Sequence, residues 1–282
     1  FSGVDVLVTE LENKLYRSVF YSRGEIYITL EEFKSQLNKI KTIIVEQHQS
    51  LYVDELEALL IKINLFGFHF ATLDIRQNSK IHDAVFKDVF DYYLESGQDV
   101  FPKNYYELSE TEKCEVLTKA KGSLIPSDFK NEMTKSTIES IQAIKQIQES
   151  NGELGANRYI ISNNENAVNV LETFALIRLT DWEQPLVDIV PLFESVDDLQ
   201  NAHNVMEQLY TNPVYAQHLA NRGMKQTIML GFSDGTKDGG YLMANWSIYQ
   251  AKEELTAISR KYGVKVIFFD GRGGPPARGG GK

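Results

Sequence analysis

Two charged, glycine-rich segments lie in the last quarter of the chain, and each follows an apolar run that is typical of a β-strand. The first segment, SDGTKDGG, covers residues 233–240 and follows the run at residues 226–232. The second, DGRGGPPARGGGK, covers residues 270–282 and follows the run at residues 264–269. Glycine has no side chain to keep an anion away from backbone N–H groups, so both segments are suited to anion binding.

The charged side chains of these segments indicate what kind of anion they could bind. Lys237, Arg272 and Arg278 provide cations among the glycines. Asp234 and Asp238 provide carboxylate oxygens, which hard divalent cations prefer. Anion-binding groups together with a metal ion suggest a phosphorylated substrate. The spacing differs from GxxxxGK[ST], so we reject a nucleotide-binding P-loop. The arginine–glycine triplets directly follow a buried strand pattern, which argues against an RNA-binding tail.

Five candidate strands each run into polar or charged residues at their carboxyl end. These residues are Arg76; Ser162, Asn163 and Asn164; Glu194; Asp234 and Lys237; and Asp270 and Arg272. In a closed (β/α)8 barrel the strand ends meet on one face, where several strands contribute to the active site. An open doubly wound sheet would also bind its ligands at the strand carboxyl ends. The residues alone leave both architectures open.

Two of these strand ends carry a carboxylate that could bind a metal ion. Glu194 follows the apolar run VDIVPLF, and Asp234 follows QTIMLGFS. Proteins bind Mg²⁺ and Mn²⁺ through one or two carboxylates together with water and substrate phosphate, so this pair predicts one of these ions. No His/Cys spacing typical of zinc occurs. The plainer alternative is that each carboxylate caps the next helix or pairs with a surface lysine.

Two arginines are candidates for binding the substrate anion. Arg76 in LDIRQ and Arg272 in DGRGG carry planar guanidinium groups, which bind phosphate or carboxylate oxygens in pairs. For Arg76, an ion pair with Asp74 or with a helix end explains the residue equally well. The five histidines are scattered over predicted helices and a strand, and we single out none of them as a catalytic base.

The composition indicates a globular protein in a reducing compartment. Of 282 residues, 43% are hydrophobic and 24% are charged, which is enough for a sizeable core. The net charge of −10 argues against non-specific binding to nucleic acid or to an anionic membrane. The single cysteine, Cys114, excludes an internal disulfide and favours the cytoplasm. We find no signal peptide or membrane span, and a chain that starts at Phe1 suggests a piece of a longer protein.

The hydrophobic pattern predicts the elements that position these groups. Residues 4–66 show helical periodicity with a capping box at residues 29–32, and residues 67–75 (GFHFATLDI) alternate like a strand. Helical patterns over residues 95–150 predict peripheral helices. Further strands at 158–162, 187–193, 226–232 and 264–269 alternate with helices at 165–177, 196–209, 213–221 and 240–261. This alternation is the signature of βαβ units and a parallel sheet.

Five segments, taken together, resemble successive sequence blocks of phosphoenolpyruvate carboxylase. They are FGFHFATLDIRQNS, YIISNNENAVNVLE, VPLFESVDDLQNA, GFSDGTKDGGYLMANWSIYQAKEEL and VKVIFFDGRGGPPARGGG. The blocks occur in the order of the family, and the last three are the most specific. The blocks cover roughly residues 67–282, and the resemblance implies a helix-rich α/β fold with a partial (β/α)8 TIM-type barrel there. The hydrophobic pattern adds an N-terminal helical segment at 1–66 and a helical insertion at about 95–150.

The resemblance also implies an activity. The family joins phosphoenolpyruvate and bicarbonate to give oxaloacetate and phosphate, through carboxyphosphate and the enolate of pyruvate, with Mg²⁺ or Mn²⁺. This carboxy-lyase reaction fixes carbon dioxide and supplies the tricarboxylic acid cycle, and the full-length enzyme is expected to be a cytoplasmic homotetramer. Negative charge accumulates on both reacting fragments, and arginines and a metal ion would stabilise it.

By resemblance, individual residues acquire expected roles. Glu194 of VPLFE and Asp234 of the SD motif correspond to the metal ligands. Arg76 and Arg272 correspond to residues that bind substrate phosphate and carboxylate. The residues that the resemblance associates with catalysis are Lys237, Arg272 and Arg278. The glycine loop that carries the last two would close over the intermediate and exclude water.

Two departures from the family pattern matter. Asp270 stands where the family commonly has the histidine of FHGRGG, and an aspartate cannot donate a proton at neutral pH. The family's catalytic histidine lies in a TAHPTE-like motif, which does not occur in this chain. We therefore predict an internal fragment, roughly a third of the enzyme, that does not catalyse the reaction alone. The alternatives are another barrel enzyme acting on pyruvate and phosphoenolpyruvate, such as a phosphotransferase, and a non-catalytic scaffold fragment.

Overall fold

The computed structural model describes residues 3–21, 25 and 27–271, except the side chains of residues 233–235 and 238. The chain divides into two compact units. One comprises Phe1–Leu73 and Ile144–Ala156, and the other comprises Asp74–Ala143 and Asn157–Lys282. None of the helices within the described ranges has the length and apolarity that a membrane span requires.

The first unit contains the helices predicted for residues 4–66. They are α1 (Val4–Phe20), α2 (Leu30–Gln47) and α3 (Val53–Phe66). Their apolar faces pack into a core that includes Leu11, Leu37 and Ile63. At the start of α2 the Thr29 side chain accepts a hydrogen bond from the Glu32 N–H at 3.1 Å. The Glu32 carboxylate pairs with Lys14 instead of closing the predicted capping box.

The strand predicted at residues 67–75 is wrong in position. Helix α3 continues to Phe66, and Gly67 ends it with a φ of 51°. Phe70 also has a positive φ, of 59°, and its N–H donates to the Phe66 carbonyl at 2.8 Å. This hydrogen bond and the two positive φ angles make residues 66–70 a turn, so this stretch is not an extended strand. The strand begins later, at Asp74, so Arg76 lies in the middle of the strand and not at its end.

The second unit is built on five parallel strands that lie side by side in sequence order. They are β1 (Asp74–Asn78), β2 (Arg158–Ser162), β3 (Asp188–Phe193), β4 (Lys225–Gly231) and β5 (Lys265–Gly271). The α-helices of the remaining chain are α4 (Ser79–Glu95), α5 (Glu110–Lys119), α6 (Glu132–Asn151), α7 (Ala167–Arg178), α8 (Val196–Thr211), α9 (Pro213–Asn221) and α10 (Ser233–Lys261). The predicted α/β class and parallel sheet are confirmed. In the described residues β1 and β5 do not pair with each other, so a closed barrel stays a prediction.

One face of the sheet packs against helices. Tyr159 of β2 is buried, and its hydroxyl lies 2.9 Å from Nε2 of His82 in α4. Gln226 of β4 accepts a hydrogen bond from the Tyr215 hydroxyl of α9 at 2.9 Å. Side chains alternate along a strand, so their neighbours in sequence lie on the opposite face.

The opposite face carries the candidate site. Its centre is a small apolar cluster of Ile160, Val190, Leu192 and Met229. The register of β1 and β2 places Arg76 beside Ile160, and therefore on this face. Parallel pairing continues to the carboxyl ends of the strands, where the polar residues begin.

The glycine-rich segment at residues 233–240 forms the beginning of α10, although we predicted a loop with a helix only from about residue 240. The Thr236 N–H and hydroxyl both donate to the Phe232 carbonyl, at 3.0 and 2.8 Å, and these bonds close a helical turn directly after β4. Gly240, where we placed the start of the helix, instead interrupts it, with a φ of 77° and a ψ of 168°.

Candidate active site at the carboxyl ends of the strands

Glu194 is the first residue after β3, and its carboxylate has two described partners at the site. The Arg76 guanidinium donates from Nη2 to Oε1 at 3.0 Å, and the backbone N–H of Asn163 donates to Oε2 at 3.1 Å. The Glu194 side chain is 20% exposed, whereas Arg76 is 51% exposed. An apolar strand thus delivers one oriented carboxylate, with a cation beside it, to an accessible strand end.

The ion-pair partner of Arg76 differs from the one that the sequence suggested. Asp74, the expected alternative partner, accepts a hydrogen bond from Nε of Arg158 at 2.7 Å. Arg76 lies two residues further along β1 and pairs with Glu194. The ion pair therefore joins two residues that we predicted separately, one for substrate and one for metal.

Asn163, the first residue after β2, is a site residue to which the sequence assigned no role. Its φ of 54° is left-handed, a conformation that non-glycine residues rarely adopt and that asparagine tolerates best. Its carbonyl accepts a hydrogen bond from the Ser79 hydroxyl at 2.6 Å. Its side-chain amide donates to Oε1 of Glu165 at 3.0 Å. The only signal in the sequence was the position of Asn163 among the polar residues at a strand end.

Gly231, the last residue of β4, leaves the space that the Glu194 side chain occupies. A Cβ atom at this position would lie 3.1 Å from Cα and 3.2 Å from Cγ of Glu194, and 3.3 Å from the Phe193 carbonyl oxygen. Two of these atoms belong to the backbone and cannot move away easily. We did not predict this residue, although a glycine at the end of an apolar strand can indicate close approach of another group.

The structure describes the remaining predicted site residues only in part. Lys237 is exposed on the first turns of α10. The side chain of Asp234 and all of Arg272 and Arg278 lie outside the described residues. The predicted pairing of Glu194 with Asp234 around one cation therefore stays a prediction.

Asp270, which replaces the family's histidine, forms an ion pair with a helix. Its carboxylate lies 2.7 Å from Nζ of Lys252 in α10. The register pairs Asp270 with Leu230, a buried residue of β4, so it lies on the face that packs against helices. A negative charge at this position is thus partly balanced by Lys252.

The described side chains include no cluster of three or more His, Cys, Asp or Glu residues that could enclose a metal ion. Glu194 nonetheless has the chemistry of a magnesium or manganese ligand, because its donors are hard carboxylate oxygens at an accessible strand end. These ions commonly bind to few protein ligands and retain several waters. Glu194 by itself therefore fits such an ion, and Asp234 stays the second predicted ligand.

Two histidines of the second unit are buried structural residues. Burial lowers the pKa of His82 and of His218 to about 4, so both are neutral near pH 7. Both ring nitrogens of His82 lie 2.9 Å from hydroxyl groups, those of Tyr159 and Thr173. These contacts give His82 a structural role in the core.

Comparison with known proteins identifies the family. The profile of the phosphoenolpyruvate carboxylase family matches residues 8–282. A phosphoenolpyruvate carboxylase from a Synechococcus species is 35% identical over 271 residues, which cover 93% of this chain and 25% of that protein. The chain thus spans about a quarter of the length of the relative, somewhat less than the third that we predicted. These matches extend over the site and over both units, and we conclude that the chain belongs to the phosphoenolpyruvate carboxylase family.

Proposed function

We propose that this chain is part of an enzyme that joins phosphoenolpyruvate and bicarbonate to give oxaloacetate and phosphate. One observation supports the proposal above all. The Glu194 carboxylate lies at a strand end with the Arg76 guanidinium 3.0 Å from one oxygen and the Asn163 N–H 3.1 Å from the other. A substrate that carries phosphate and carboxylate groups needs such a cation, and its metal ion needs such a carboxylate.

In the proposed reaction an oxygen of bicarbonate attacks phosphorus, and the bond between phosphorus and the enol oxygen breaks. This step yields carboxyphosphate and the enolate of pyruvate. Carboxyphosphate then releases carbon dioxide and phosphate, and the enolate carbon bonds to carbon dioxide. We assign Arg76 and Arg272 to substrate binding, and Lys237, Arg272 and Arg278 to stabilisation of the developing negative charge.

Glu194 and Asp234 would hold Mg²⁺ or Mn²⁺, which when bound supplies positive charge for the enolate and phosphate oxygens. The other contributions come from the chain itself. The Asn163 N–H orients the Glu194 carboxylate, and Gly231 leaves the space for it. Arg76 provides a guanidinium at the same carboxylate, and half of its side chain is accessible to a ligand.

We also propose a cytoplasmic location and a homotetrameric full-length enzyme, which rest on the family and on the single cysteine. Phosphoenolpyruvate and bicarbonate are the proposed substrates. The net charge of −10 supports the absence of a nucleic-acid or membrane partner.

Titration of the 282-residue chain with Mn²⁺, followed by electron paramagnetic resonance, tests this assignment. We expect Glu194→Gln to weaken Mn²⁺ binding at least tenfold, because it removes a charged ligand. The matched control is Glu207→Gln, which makes the same change in a carboxylate that pairs with Lys261 instead. Equal Mn²⁺ affinity in wild-type protein and Glu194→Gln would exclude Glu194 as a metal ligand.

A further inference from the structure

Asn163 has a left-handed backbone conformation, which changes where two successive N–H groups point. In an extended strand, successive N–H groups point to opposite edges. Here the N–H of Asn163 donates to Glu194 Oε2 at 3.1 Å, and the N–H of Asn164 donates to the Leu192 carbonyl at 3.3 Å. Both acceptors belong to β3 or to the residue after it. The left-handed φ of 54° at Asn163 is what allows both N–H groups to face the same neighbour.

Contacts with Ser79 and with Glu165 of the same loop hold Asn163 in place. Ser79, the first residue of α4, is 2% exposed, and its hydroxyl donates to the Asn163 carbonyl at 2.6 Å. The Asn163 side-chain amide lies 3.3 Å from the same hydroxyl oxygen and donates to Oε1 of Glu165 at 3.0 Å. The junction that follows β1 thus contacts the Asn163 backbone, and Glu165 in the loop after β2 contacts its side chain.

The N–H of Asn163 occupies one oxygen of Glu194 and leaves the charge of the carboxylate in place, because an amide is a neutral donor. The other oxygen, Oε1, then faces its cationic partner, which is Arg76 in this structure. We propose that Asn163 is a positioning residue for Glu194: its left-handed conformation lets the N–H groups of Asn163 and Asn164 both contact β3 or the residue after it, and the Asn163 N–H fixes the orientation of the carboxylate towards a cation. The part of this inference that concerns a metal ion rests on the proposed function, whereas the hydrogen bond itself does not.

Two substitutions separate the contribution of the Asn163 backbone from that of its side chain. Asn163→Gly keeps the left-handed conformation and the N–H, because glycine adopts positive φ freely. Asn163→Val disfavours this conformation, because its β-branched side chain crowds the backbone. We expect Mn²⁺ affinity to fall about tenfold in Asn163→Val and less than threefold in Asn163→Gly, since groups that orient a metal ligand typically change affinity by this order.

A matched control places valine at another left-handed residue, next to a different strand of the sheet. Met224 also has a left-handed φ, of 53°. It directly precedes the amino end of β4, whereas Glu194 follows the carboxyl end of β3. Met224→Val should lower the melting temperature to an extent comparable with Asn163→Val, but it should leave Mn²⁺ affinity unchanged. A loss of affinity in both variants would show that general destabilisation, and not positioning, explains the effect.

A measurement without metal tests the hydrogen bond directly. In ¹⁵N–¹H spectra recorded without metal, Glu194→Gln should shift the Asn163 amide proton upfield, because a neutral amide oxygen replaces the carboxylate that accepts this hydrogen bond. If wild-type protein does not bind Mn²⁺, the proposed metal role fails, and this comparison alone decides the positioning role. An Asn163 amide that does not respond to Glu194, or a folded Asn163→Val that binds Mn²⁺ like wild type, would overturn the proposal.

If Asn163→Val does not fold, Ser79→Ala takes its place. This variant removes the 2.6 Å hydrogen bond to the Asn163 carbonyl without altering the backbone preference of residue 163. We expect the dependence of the Asn163 amide shift on Glu194 to decrease by about half. An unchanged shift would contradict the role of Ser79 in holding the peptide.

Discussion

At the scale of single residues, the candidate site depends on an ion pair between residues that are 118 positions apart in sequence. Arg76 and Glu194 meet at 3.0 Å, with Arg76 half exposed. Ion pairs with such exposure contribute at most about 1 kcal/mol to stability. We therefore interpret the pair as an arrangement of charge for ligand binding. Its contribution to the free energy of unfolding is small.

Gly231 is a residue at which a single methyl group should disturb the site. In Gly231→Ala the new Cβ would meet Cα and Cγ of Glu194 at 3.1 and 3.2 Å. We expect a loss of about 1–3 kcal/mol in the free energy of unfolding, because a backbone contact cannot relax freely. We also expect weaker Mn²⁺ binding, since Glu194 must move. Urea denaturation and Mn²⁺ titration of the variant measure the two effects.

The control for this prediction is Gly97→Ala. Gly97 has a φ of 70°, and apart from its own chain neighbours no atom of the described residues lies within 4 Å of the added Cβ, so this change introduces backbone strain without crowding. It should lower stability by about 1 kcal/mol and leave Mn²⁺ binding unchanged. Wild-type Mn²⁺ affinity in Gly231→Ala would contradict the role of Gly231 in accommodating Glu194.

At the scale of elements, the helices beside the sheet enclose a carboxylate that the site does not use. Glu172 of α7 is 6% exposed and accepts a hydrogen bond from the Tyr105 hydroxyl at 3.2 Å. Burial, together with the nearby Asp83 carboxyl, raises the pKa of Glu172 from 4.5 to about 8. The folded protein therefore binds a proton here over a range of pH in which the unfolded chain does not.

This difference predicts how stability depends on pH. A raised carboxyl pKa stabilises the folded state fully below the unfolded pKa of 4.5, and this contribution is lost as pH rises to about 8. Between pH 5 and pH 8 we expect the free energy of unfolding of wild type, relative to that of Glu172→Gln, to fall by on the order of 3 kcal/mol. Chemical denaturation of both proteins across this range measures the difference. The same pH dependence in wild type and variant would contradict the assignment.

The buried histidines provide an internal control, because their effect on stability has the opposite sign. The pKa values of His82 and His218 are lowered to about 4, so their contribution is present above pH 6.5 and is lost as pH falls towards 4. Glu172→Gln should leave this acid-side loss unchanged. If Glu172→Gln changed both the loss of stability towards pH 4 and the loss towards pH 8, a general change in packing would explain the result.

At the scale of the whole molecule, we expect the 282-residue chain to form no oxaloacetate by itself. It spans 25% of its Synechococcus relative, and no TAHPTE-like histidine motif occurs in its sequence. Phosphoenolpyruvate, bicarbonate and Mg²⁺ with malate dehydrogenase and NADH provide the measurement, and the Synechococcus enzyme serves as the positive control. Oxidation of NADH that depends on phosphoenolpyruvate, above a heat-denatured blank, would contradict the prediction.

Much of the second unit could be predicted from local pattern. The strand at Arg158–Ser162 and the helix at Pro213–Asn221 lie where the sequence placed them, because apolar runs and a proline at the first helical turn mark their limits. The stretch after Phe66 could not be predicted in this way. Its apolar alternation is typical of a strand, but the left-handed residues Gly67 and Phe70 make it a turn.

The sequence by itself determined the family, the parallel α/β arrangement and the candidate residues Arg76 and Glu194, because these depend on motifs and local periodicity. Only the tertiary structure decided that Arg76 pairs with Glu194 rather than Asp74, that Gly231 leaves room for this carboxylate, and that the Asn163 N–H orients it. The contacts with Glu194 join residues 118 and 31 positions away in sequence. They depend on strand register and on one left-handed peptide, which neighbouring residue types do not specify.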